Sequence, residues 1–151
     1  MTLQDVRVGL KAYLLDDATI AASVDSGASA SPRYRVFTLK LPQGETRPSI
    51  VYSRISGQGD HHMEGASGLN RTRMQIDCWA PTADAADLLA RQVKERIDGF
   101  GPGSMLWGDD SPEEAIVVQG IFYESEREDW DEGPPARYRS SKDYLIWFEE
   151  R

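Results

Sequence analysis

A single cysteine among 151 residues, Cys78, excludes an intrachain disulfide. Histidine is nearly as scarce: His61 and His62 stand side by side and are the only two. With Asp60 and Glu64 they could be written as metal ligands, yet a structural zinc site wants about four ligands at helical or knuckle spacing. Adjacent residues of an extended segment point to opposite sides, so these four read as solvated or subunit-contacting residues. No apolar run approaches the roughly 18 residues that cross a membrane. Met1-Thr2-Leu3-Gln4-Asp5 carries an acid and no basic cluster, so no secretory signal is expected. The cytoplasm, or a particle assembled there, is the expected compartment. Cations are missing from one stretch. Between Asp109 and Glu132 ten acids face only Arg127, which sums to -9 in a chain whose net charge is -8.

The remainder is therefore +1, and its cations gather early: Arg33, Arg35, Lys40, Arg47 and Arg54 against Glu45. An acidic chain of this kind is a poor candidate for gripping nucleic acid through phosphates. It could border a channel through which DNA slides. A 40% hydrophobic and 28% charged composition suits a folded chain and argues against disorder. The length fits one domain spanning residues 1–151, large enough for a core without staples.

Local signals give the element order. Thr2-x-x-Asp5 matches the start of a helix, and Leu3, Val6, Leu10 and Leu14 carry it to about Leu15. Asp16-Asp17 caps a shorter helical turn through Ile20 and Val24, and Asp25 to Arg33 reads as a flexible connector. Phe37, Leu39 and Leu41 alternate as a first strand. Ile50–Ile55 and Arg73–Trp79 form the next two, with Gly57 to Arg71 between them as a glycine-rich hairpin excursion. Thr82 caps the clearest helix. Its stripe is Ala86, Leu89, Ala90, Val93 and Ile97, and Gly99 closes it. Phe100 to Glu114 reads as a loop. Ile116–Glu124 and Tyr138–Phe148 form the last strands, joined through Gly133-Pro134-Pro135. The expected fold is α+β, an antiparallel sheet of four to five strands with two main helices packed on one face. Such a sheet has edges that must be covered or paired, and a ring of subunits is one way to cover them.

Chemistry-bearing patterns are weak. Cys78 lies on the apolar face of its strand with no activating base nearby in sequence, and reads as a buried, inert thiol. Gly65-Ala66-Ser67-Gly68 has its glycines too close for a nucleophile elbow. Gly57-Gln58-Gly59 begins like a dinucleotide fingerprint but lacks the third glycine and a following helix. Glu124, Glu126 and Glu128 recur at period two and are expected to share one strand face, as a solvated or partner-facing strip rather than a catalytic pair. Of four tryptophans, Trp79 and Trp147 are expected in or beside the core. Trp107 and Trp130 fall in loops and read as interface anchors, or as rings folded back on their own subunit.

The order of motifs resembles the tail terminator or tail completion proteins of long-tailed phages and gene transfer agents. The segments that carry it are Leu41-Pro42-Gln43-Gly44-Glu45-Thr46-Arg47-Pro48-Ser49-Ile50-Val51-Tyr52, Arg54-Ile55-Ser56, and Gln75-Ile76-Asp77-Cys78-Trp79-Ala80 before the Thr82–Gly99 helix. Gln119-Gly120-Ile121-Phe122, an acidic hairpin and Arg139-Ser140-Ser141-Lys142-Asp143-Tyr144-Leu145-Ile146-Trp147 complete it. The longer Ser/Ala/Gly insert between Ser23 and Phe37 departs from the family pattern.

The resemblance implies a tail-terminator-like fold and a homo-oligomer, a hexameric ring at the head–tail junction of the virion, assembled in the host cytoplasm. It implies the major tail tube protein and head connector or adaptor proteins as partners, DNA passing through the lumen without specific binding, no membrane, no cofactor and no catalysis. A head–tail adaptor or neck protein without a role in tail length is the alternative, and an enzyme or binding module with a cryptic pocket is a third reading. A head-to-tail ring needs two complementary patches per subunit. The candidates are the basic residues Arg33, Arg35, Arg47 and Arg54, the hairpin residues Asp60, His61, His62 and Met63, and Glu124, Glu126, Glu128, Trp107 and Trp130.

Overall fold

The structure, a computed structural model, describes residues 6–63, 65–105, 116–133 and 135–149. Helix α1 runs Val6–Leu15 and buries Val6, Gly9, Leu10 and Leu14. The expected cap at Thr2 lies outside the described residues. Helix α2, Ala18–Val24, starts where Asp17 accepts from the Thr19 and Ile20 amides at 3.0 and 3.2 Å. Helix α3, Ala83–Ile97, starts at Thr82, whose side chain accepts from the Ala85 amide, and Asp84 complements its first turn. Its expected stripe is the buried one. Gly99, at φ +79°, takes the left-handed conformation that ends the helix.

Six strands form one sheet. They are β1 (Val36–Thr38), β2 (Ser49–His62), β3 (Gly65–Ala80), β4 (Gly103–Met105), β5 (Ile116–Asp131) and β6 (Arg137–Glu149), in the order β1-β2-β3-β6-β5-β4. The four long strands are antiparallel, as expected. The two three-residue edge strands lie outside that set, and β1 pairs parallel to β2, so the sheet is mixed. The first strand stops at Thr38 because Leu39 turns to φ 69° and lies 70% exposed. Gly57 to Arg71 is the expected hairpin, and its two arms are strand: β2 and β3 stay paired out to His62 and Gly65. β5 likewise runs seven residues past Glu124.

All three helices, the two main ones and the short α2, cover one face. Leu10, Leu14, Ile20, Leu89, Val93 and Ile97 meet Ile50 and Tyr52 of β2, Met74, Ile76 and Cys78 of β3, Tyr144 and Ile146 of β6, and Val118 and Ile121 of β5 in a single core cluster. Arg96 ties α3 to α1, donating to the Tyr13 carbonyl and lying 3.8 Å over its ring. Beyond α3 the chain closes on the outer edge of β5. The Gly99 amide bonds the Ile121 carbonyl and the Ile121 amide bonds the Phe100 carbonyl. Gly101 lies so close that an added Cβ would sit 2.7 Å from the Gln119 oxygen, and its φ of +108° also demands glycine.

Because α3 supplies the central stripe, Leu89→Ala is expected to cost ~2–5 kcal/mol of unfolding free energy. Thr82→Ala, which removes one cap, should cost about 1 kcal/mol. Urea denaturation of the two variants checks this ranking, and a reversed order would contradict it.

Candidate assembly surface

The acidic stretch meets its cations across the sheet. The β5–β6 register sets Glu126 opposite Lys142, Asp129 opposite Arg139 and Asp131 opposite Arg137, and each pair is ion-paired. The sequence places only Arg127 among these acids, but the fold brings three β6 cations and Arg73 of β3 to them.

The three period-two glutamates do not share a face. A register shift between Tyr123 and Ser125 inserts one extra residue. Glu124 therefore joins the helix-free face, 2.9 Å from Arg73, which also reaches Asp143 at 3.5 Å. Glu126 and Glu128 stay on the helix side. The reason is the bulge, which resets the alternation of strand side chains. Lys142 is 4% exposed while the Glu126 side chain is 56% exposed, so the pair spans the protein–water boundary. The hydrogen bond from Lys142 holds the Glu126 carboxyl below its ordinary value, and burial raises the Tyr123 phenol beside it. The pair borders a cleft shared with Asp87, Arg91, Lys94 and Asp98.

The face away from the helices carries a polar network that the sequence reading missed. The Gln75 amide donates to both Asp77 oxygens at 2.9 and 3.0 Å and accepts from Arg127 at 2.9 Å. Arg139 reaches Asp77 at 3.7 Å as well as Asp129. Arg137 and Arg139 lie 5.2 and 5.5 Å over the Trp79 ring, and Arg71 lies 5.1 Å over Trp147. These two tryptophans therefore sit opposite the apolar core, under arginines. The available signal was the polar parity of Gln75, Asp77, Ser141 and Asp143, which marks a face but not its connections.

The early basic residues are engaged within the chain. Arg33 pairs with Asp25 at 3.5 Å, and Arg47 grips Glu45 through two 2.9 Å bonds. That grip holds the Glu45 carboxyl below its ordinary value. Arg137 also donates to the Glu45 carbonyl at 3.2 Å, so the first basic segment and the last hairpin touch inside one subunit. Arg35 must be removed from the surface candidates. It is 5% exposed and donates to the carbonyls of Pro48, Asp25 and Ser23 and to the Ser26 hydroxyl. It clamps the insert after α2 onto the start of β2. Arg54 is exposed on β2.

Asp60, His61 and His62 lie in the last turn-ward residues of β2, and Met63 in the turn is fully exposed. Trp130 is 64% exposed on the β5–β6 hairpin. It borders a cavity of about 310 Å³ with Ala83, Ala86 and Tyr138. Trp107 lies outside the described residues. Cys78 is buried, and desolvation pushes its thiol up, away from the thiolate a nucleophile needs. Among the described residues no group of three or more His, Cys, Asp or Glu is arranged to hold a metal, and no helix is long and apolar enough to cross a membrane.

A model of the tail completion protein gp17 family matches residues 8–107, about two thirds of the chain. The chain belongs to the tail completion protein gp17 family. It is a structural protein of a phage tail, and not an enzyme. A chain of the solved structure described as "Virion of native gene transfer agent (GTA) particle" is similar in fold, with a TM-score of 0.60. It is 15% identical over 93% of this chain and 91% of that one, a level at which the likeness speaks for fold alone. No curated protein matches the sequence.

Within this tail completion protein, Glu126→Gln is expected to destabilise the fold at neutral pH by leaving Lys142 without its counter-ion. The sign follows from the depressed carboxyl. Its contribution is full above the ordinary value of 4.5 and is lost as pH falls through the lower folded value. Denaturation of wild type and variant should therefore converge below that window. A gap that stays constant with pH would contradict the assignment.

Proposed function

We propose that the chain forms a ring at the head-proximal end of the tail tube, where it ends tube polymerisation and offers the surface for head joining. The family match over residues 8–107 carries this reading. Two features of the chain support it. Trp130 and Met63 are exposed on the two long hairpins, where large apolar side chains serve as interface anchors. Arg73, Arg137 and Arg139 of the helix-free sheet face are matched by acids on that same face, which suits a wall past which DNA slides without being held.

In this proposal the chain acts as one domain whose partners are copies of itself, six to a ring, together with the tail tube protein below and the connector above. It works at the head–tail junction by shape and contact. Residues of the two hairpins (Arg54, Asp60, His61, His62, Met63, Glu126, Glu128 and Trp130) provide the contacts between subunits and toward the tube. Arg33, Arg47, Glu124 and Trp107 remain proposed interface residues.

An amber mutant of the gene tests the proposal by electron microscopy. The expected result is overlong tails that fail to join heads. Tails of normal length without heads would instead assign the protein to a head–tail adaptor.

A further inference from the structure

The sheet is left open at two diagonally opposite places. On one side β1 covers β2 only from Ile50 to Tyr52, and from Ile55 to His62 no described strand lies outside β2. On the other side β4 covers β5 only from Ile116 to Val118. Gly99 and Phe100 then bond Ile121, and the Asp98 carboxylate accepts from the Tyr123 amide. From Ser125 to Asp131 no described strand lies outside β5. Long open edges are templates for another strand, and monomeric proteins usually blunt or cover them. Of the six large hydrophobic residues exposed among the described ones, four lie on these two strands or at their tips: Ile55, Met63, Phe122 and Trp130.

We infer that the open edge of β5 in one copy pairs antiparallel with the open edge of β2 in the next, making the sheet continuous from subunit to subunit. This rests on the ring reading above and names the contact that would build it. The occupant of each edge is therefore a second copy of this chain, for three reasons. First, β2 and β5 run in opposite directions within the sheet, so copies placed side by side in the same orientation present an antiparallel pair.

Second, the required slide fits a closed ring. Asp129 is level with Arg139, Trp79 and Ser49 across one sheet. Bringing Ser56 of the neighbour opposite Asp129 means a slide of about six residue rises, ~20 Å, once the bulged Ile55 is discounted. The repeat is four strands wide, ~19 Å. The resulting strand tilt of about 45° is the value at which strands close into barrels.

Third, the edges discriminate against self-pairing. Ser125 to Asp131 carries Glu126, Glu128, Asp129 and Asp131 against Arg127, and these carboxylates stay substantially exposed even when paired. Two β5 edges facing each other would oppose like charges. The β2 edge instead offers Gly57 and Gly59, which let another backbone approach closely.

Cysteine pairs placed on the same sheet face test the contact in isolated tails. Ser56→Cys with Asp129→Cys, and separately Gln58→Cys with Arg127→Cys, are oxidised and run on denaturing gels. Disulfide-linked multimers from either double variant, absent from the four single variants, are expected. Tails that contain several copies but give no cross-link with either pair would overturn the edge pairing while leaving the ring intact. Dimers from Asp129→Cys alone would overturn it too, by showing two β5 edges together. One copy per tail would remove the ring reading, and this inference with it.

Discussion

Twelve consecutive residues of β3, Leu69 to Ala80, pair without interruption with Glu149 to Tyr138 of β6, and the rest of the molecule is hung on that ladder. It fixes which side chains of the two central strands face the helices. Met74, Ile76, Cys78, Tyr144 and Ile146 go to one side and build the core. Arg73, Gln75, Asp77, Arg139 and Asp143 go to the other and bond among themselves. A slip of one residue would exchange these sets, so burial of one face and ion pairing on the other specify the same register.

From that ladder the outer strands diverge. β2 and β3 continue past one end of β6 as a hairpin, and β5 and β6 form the opposite hairpin. Bulges beside Ile55 and Glu124 redirect single side chains, so strand period alone does not say what each hairpin presents. The charge split visible in the sequence is largely resolved within one subunit by cross-strand pairs. In the proposed ring, each copy would offer its neighbour less a naked acidic strip than a pair of open backbone edges.

The helices were the most legible part of the sequence because their information is local. Thr82, Gly99 and a five-residue stripe define α3 without reference to any other segment, and Asp17 does the same for α2. Strand ends were less legible. Gly57 and Gly59 are poor strand formers, as are the acids after Glu124, and pairing with β3 and β6 keeps these stretches extended. Arg35 shows the limit most sharply: its burial depends on carbonyls at Ser23, Asp25 and Pro48 that converge only after folding. The order of motifs pointed to the family, while the polar network around Gln75 required the β3–β6–β5 register to be known.

The central claim is that this protein works as a ring of identical subunits at the end of a tail. Electron cryomicroscopy of the intact particle, at a resolution that separates strands, tests it most directly. The expected result is a closed ring of this chain between tube and connector, with β5 of each copy beside β2 of the next. A single copy, or a ring located at the distal tip of the tail, would contradict it.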